Sequence, residues 1–168
     1  MAIKLERIGH CALRVRDVER SKKFYTEVLG LQLMEQDPEH GGVFMSLPHD
    51  GHTIDVSPVD HPETALPGAA SRERTGLVHI AFKVSSYGAL KEAYETLKAE
   101  GVDVPRMVDH VSQRSIYFND PDGHGLEIYY EYPNARELFL QGRGDRDTEF
   151  TFDDPLPDGV APTSRRRT

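Results

Sequence analysis

GHCALRV (9–15) and VHIAFKV (78–84) line up position for position, with His10 over His79. Both stretches alternate apolar and polar residues, the period of a strand with one buried face. A helical stripe follows each. In the first, Asp17 is placed to cap, Val18, Phe24, Tyr25, Val28 and Leu29 form the stripe, and Gly30 stops it. In the second, Ser86 caps, Tyr87, Leu90, Ala93, Tyr94 and Leu97 form the stripe, and Gly101 stops it. The units also end alike, DGHTIDV (50–56) over DGHGLEI (122–128), which sets Asp55 over Glu127. Between helix and last strand lie LQLMEQ and GVFMSL in the first unit. The second has a stretch near Val102–Met107 and then RSIYFN. A shared strand-then-helix order is common, but matched histidines, helix lengths and DGH turns together point to an internal duplication.

The expected fold class is therefore α+β, two tandem β-α-β-β-β modules in one domain spanning residues 1–132. Module 1 covers about 5–57 and module 2 about 77–131. Residues 58–76, rich in Pro, Ala and charge, read as the linker between them. Residues 133–168 read as a C-terminal extension. Within it NARELFLQ (134–141) is a candidate short helix, and the acidic stretch 145–158 reads as a loosely held tail.

Strand parity then sorts the side chains. Cys11, Leu13 and Val15 share one face of the first strand, and His10, Ala12 and Arg14 the other. Ile80, Phe82 and Val84 oppose His79, Ala81 and Lys83 in the same way. The apolar faces must pack on the helices, so both histidines point away from them. Leu126 and Ile128 belong to the core face, which sends Glu127 to the side of the histidines. Two imidazoles and a carboxylate suit a divalent first-row metal. Open positions on that metal favour non-haem Fe(II), with Zn, Mn and Ni also compatible. Asp55 faces inward by the same parity and is a candidate fourth ligand or base. His52 sits near a turn, where parity is a poor guide, and is a candidate supporting group.

Composition narrows the partners. Charged residues make up 29% of the chain and hydrophobic residues 38%, an ordinary globular profile. A net charge of −8 argues against a nucleic-acid partner, which needs a basic face. No apolar run reaches membrane-spanning length. MAIKLERIGH lacks the apolar stretch of a signal peptide, and Cys11 is the single cysteine, so a cytoplasmic location is expected.

These features resemble the vicinal oxygen chelate superfamily of glyoxalases, extradiol dioxygenases, epimerases and antibiotic-resistance proteins. The resemblance covers residues 5–131 and includes RDVERSKKFYTEVLGLQL and DPDGHGLE (120–127). It implies that the two modules pair into a cupped mixed sheet with the helices outside. It also implies a metal held by His10, His79 and Glu127, and a homodimer acting on a small molecule. VDHVSQRSIYFNDPDGHGLE (108–127) is similar to the signature of extradiol ring-cleaving dioxygenases, a histidine, then a tyrosine, then the carboxylate ligand. On that likeness His110 is the acid–base group and Tyr117 a hydrogen-bond donor, which parity supports by sending Ser115 and Tyr117 away from Ile116 and Phe118. Familiar extradiol enzymes often carry two such module pairs, whereas this chain has one. Asp55 also stands where glyoxalases have a glutamate. The alternatives are a glyoxalase-like lyase or isomerase using Zn or Ni, and a non-catalytic protein that binds an antibiotic or other small molecule.

Overall fold

In the computed structural model, which describes residues 3–68, 75–140 and 146–157, the repeat is realised as two compact units, residues 1–67 and 68–168. The first contains β1 (Cys11–Val15), α1 (Val18–Lys23), β2 (Gln32–Gln36), β3 (Val43–Ser46) and β4 (Ile54–Pro58). Its sheet order is β1-β4-β3-β2, with β1 parallel to β4 and the other pairs antiparallel. The second contains β5 (Ile80–Lys83), α2 (Tyr87–Ala99), β6 (Arg106–Asp109), β7 (Gln113–Asn119), β8 (Gly125–Glu131), α3 (Ala135–Leu140) and β9 (Thr148–Glu149). Its order, β5-β8-β7-β6-β9, repeats the first unit's plan and adds one strand. Both units are thus the expected β-α-β-β-β module. Among the described residues, no helix is long and apolar enough to cross a membrane.

The helices start and stop where local chemistry dictates. The Asp17 carboxylate accepts the Arg20 N–H at 3.0 Å, and Ser86 Oγ accepts the Ala89 N–H at 3.1 Å. Gly30 and Gly101 end the helical segments at φ +75° and +72°, a left-handed conformation that residues with a side chain rarely adopt. Beyond Lys23 the first helix widens into a π-helical turn over Phe24–Val28. Phe24 and Tyr25, adjacent in sequence, are both buried there. In the second unit Leu90 and Leu97 are fully buried on α2, worth about 2 kcal/mol each. They belong to the core with Ile116, Phe118, Leu126 and Ile128, while Leu13, Val15, Val43, Met45, Ile54 and Val56 form the sheet side of the first unit's core.

Two segments differ from expectation. The strand expected near Val102–Met107 begins only at Arg106. The Val102 N–H is taken by the Leu97 carbonyl as the helix closes, and Pro105 has no N–H to give a ladder. The stretch 145–158 is no loose tail over its described part. Thr148 and Glu149 pair antiparallel with Asp109 and Val108, and Phe150 is buried.

Candidate metal centre

In the second unit β5 and β8 run parallel with Ala81 beside Glu127, and β7 sets Tyr117 opposite Glu127. His79, one residue before β5, lies with its Nε2 2.8 Å from Glu127 Oε2. The approach depends on Gly125. A Cβ there would lie 2.4 Å from the Val78 carbonyl oxygen and 3.4 Å from His79 Cβ. Glu127 is 3% exposed, and its other oxygen, Oε1, accepts from Gln113 Nε2 at 3.1 Å. A ligating carboxylate is commonly oriented by such an amide donor.

Tyr117 and His110 stand next to this pair. The Tyr117 hydroxyl lies 2.7 Å from His110 Nε2, and His110 Nδ1 lies 2.8 Å from Asp147 Oδ2. Burial, and then the charge of Glu127, push the Tyr117 hydroxyl up to about 12, so it stays protonated at neutral pH. The Arg106 guanidinium lies 5.1 Å from the centre of the Tyr117 ring. Val78, His79, Arg106, His110, Tyr117 and Leu126 help line a cavity of about 460 Å³, within the range of small-molecule sites.

The first unit carries its own donor cluster. His10 Nε2 lies 3.9 Å from Asp55 Oδ2, and His52 Nδ1 lies 2.8 and 2.9 Å from the two Asp55 oxygens. The His10 and His52 rings stack with centroids 4.3 Å apart. One ligand atom from each of the three falls within 4.8 Å of the others. Asp55 is buried between imidazoles, whereas the His10 side chain is 48% exposed.

The two DGH turns do different work. His52 turns onto Asp55, but its repeat-mate His124 turns back onto Asp120, Nδ1 to Oδ2 at 2.8 Å. The other oxygen of Asp120 accepts the backbone N–H groups of Asp122 and His124. DPDGHG is therefore first a hairpin lock. His124 is held above its ordinary pKa by the Asp120 hydrogen bond.

The structure thus brings His79 to Glu127 and His110 to Tyr117 within one unit, and His10 to Asp55 within the other. Gln113 and Asp147 were not anticipated. Gln113 shares the parity of Ser115 and Tyr117 and could have been found by extending that strand. Asp147 had no local signal. Imidazole and carboxylate donors in both units fit a divalent first-row metal.

An α+β chain built from two β-α-β-β-β modules, with a histidine just before each first strand and a carboxylate on each last strand of the module, defines the class. The chain belongs to the Glyoxalase/Bleomycin resistance protein/Dioxygenase superfamily, whose family model matches residues 7–128. Members of this superfamily bind a divalent metal and small-molecule substrates. The catechol-2,3-dioxygenase of Bacillus subtilis is 29% identical over 128 residues, 76% of this chain and 42% of that enzyme. The chain thus spans less than half of that enzyme's length. The lactoylglutathione lyase of Pseudomonas aeruginosa is 28% identical over 81% of this chain and 86% of its own length. A glyoxylase/bleomycin resistance protein/dioxygenase domain from a Frankia species has the same fold. Its TM-score is 0.66 at 24% identity, covering 80% of this chain and 99% of that one.

Proposed function

We propose that this chain is a ring-cleaving dioxygenase of the extradiol type, using Fe(II) and O2 on a catechol-like aromatic. The observation that carries the reading is the hydrogen-bonded His110–Tyr117 pair lining the same cavity as His79, whose partner is Glu127. His79 and Glu127 would hold the metal, with His10 as third ligand on its place as the repeat-mate of His79. When bound, the metal lowers the pKa of two adjacent hydroxyls and brings substrate and O2 together. The protein's own groups manage the proton. Tyr117 keeps its hydrogen at neutral pH and donates it, and His110 Nε2 is the atom that receives it. A substrate hydroxyl beside Tyr117 can then pass its proton along the pair, and His110 returns it when the product forms. The cavity's volume admits a single aromatic ring with its substituents. The family resemblance supports a homodimer, and the single cysteine fits a reducing cytoplasm.

A second reading is favoured by Asp55. A carboxylate lying beside both His10 and His52 gives the first unit a base or further ligand, which suits a glyoxalase-like lyase or isomerase with Zn or Ni. The two readings part in one experiment. Protein loaded anaerobically with Fe(II) should consume O2 when given catechols, with one O2 per ring opened. No uptake across several catechols, in protein shown to hold iron, overturns the dioxygenase reading, and Asp55 found bound to the metal favours the lyase.

A further inference from the structure

We propose that Asp147 is a positioning residue that fixes the tautomer and orientation of His110, and that the C-terminal segment 147–155 is the strap that holds it in place. The proposal rests on the reading of His110 as the acid–base group. Register supplies the first argument. Val108 pairs with Glu149 and Asp109 with Thr148, so the antiparallel ladder continued by one residue sets Asp147 across from His110. The side chains meet there, with His110 Nδ1 2.8 Å from Asp147 Oδ2.

Chemistry supplies the second. An ionised carboxylate only accepts hydrogen bonds, so Nδ1 must carry the proton. In the neutral ring Nε2 is then left as an acceptor, and it faces the Tyr117 hydroxyl at 2.7 Å. The order Asp147, His110, Tyr117 thus has one consistent hydrogen-bond direction, with Nε2 free of hydrogen where a proton must be received. The other tautomer would leave Nδ1 bare toward a carboxylate, two acceptors set 2.8 Å apart with no hydrogen between them.

Anchorage supplies the third. Arg114, 4% exposed on the core face of β7, donates through NH1 to the Asp154 carbonyl at 3.2 Å and through NH2 to the Pro155 carbonyl at 2.7 Å. Its Nε donates to Asp109 Oδ2 at 3.0 Å, which also accepts from the Tyr132 hydroxyl at 2.7 Å. The guanidinium lies 4.7 Å from the Phe150 ring centre, and Phe152 packs against Tyr87 and Tyr94. A buried arginine that spends two donors on the backbone of a terminal segment is a clamp on that segment. Asp147 is therefore carried by a fixed element.

The test reads the imidazole directly. Full-length 15N-labelled protein loaded with Zn(II) is examined by long-range 1H–15N correlation, the His110 ring being assigned by its loss in His110→Gln. Wild type should show the Nδ1–H form as at least nine-tenths of the neutral ring. In Asp147→Asn the amide can face the ring with either its oxygen or its NH2, so the Nε2–H form should grow several-fold. Asp147→Glu should restore the wild-type pattern in part. Unmoved amide signals of Thr148 and Glu149 in Asp147→Asn would show that the strap still holds. A wild-type ring mainly in the Nε2–H form, or an Asp147→Asn ring indistinguishable from wild type, overturns the proposal. If Fe(II)-loaded wild type fails to consume O2, the dioxygenase reading falls, while the tautomer result still decides the role of Asp147.

Discussion

Val111 sits at φ +69°, a left-handed conformation that a β-branched side chain rarely adopts. The residue directly follows His110, and the tight turn around it is held by the His110 N–H on the Gln113 carbonyl and the Val111 N–H on Asp109 Oδ1. Strain of about 1–3 kcal/mol at such a residue persists only where the surroundings over-determine it. Asparagine accepts this conformation far better, so Val111→Asn should stabilise the protein by about 1 kcal/mol, read as a higher urea midpoint. His124 gives a pH-dependent counterpart. Asp120 raises its pKa above the unfolded value of about 6.5, so its stabilising effect is complete below that pH. The effect fades as pH rises through the folded value. His124→Gln should therefore lose more stability relative to wild type at pH 5.5 than at pH 9, measured by urea unfolding at both. An equal loss at the two values would contradict it.

At the scale of elements, the parallel pair β5–β8 does most to shape the second unit's donors. Gly125 is there because β8 must come close to Val78, and no positive φ is involved. Gly125→Ala would drive a methyl into a backbone carbonyl and against His79, and the strands would have to separate. Overpacking of this kind costs about 1–3 kcal/mol. The expected result is a lowered melting temperature with weakened divalent-metal binding, measured by calorimetric titration. Unchanged metal affinity would show that the strand spacing does not set the His79–Glu127 geometry. The sequence made these elements legible because parity and repeat act locally. His10 over His79, Asp55 over Glu127, and Tyr117 against Ile116 and Phe118 all follow from alternation along single strands. Arg114 defeats the same rule. It lies on the core face among apolar neighbours, and only its partners Asp109, Tyr87 and the 154–155 carbonyls explain a charge there. Asp147 is illegible for a related reason. Its partner is 37 residues away, and the short alternation around Phe150 and Phe152 does not say which strand it joins.

At the scale of the molecule, duplication has been followed by divergence. The two modules share a strand order, a cap, a stop glycine and a DGH turn, yet their donor sets differ in chemistry. One unit gathers two histidines and an aspartate, and the other pairs one histidine with a buried glutamate beside an acid–base dyad. His52 shows how far position and role separate, since the same turn sends His124 to a structural partner. Among the described residues, the second module's sheet has one strand more than the first's, β9 from the C-terminal extension. Family membership and the fold were readable from the repeat, while the reaction depends on side chains the repeat does not share. The proposed metal set is His10, His79 and Glu127. Metal analysis of purified protein after Fe(II) or Zn(II) loading and removal of excess ion should give one equivalent per chain in wild type. His10→Ala, His79→Ala and Glu127→Ala should each lose most of it. A full equivalent retained in any one of the three variants, with the fold intact by circular dichroism, would contradict that metal set.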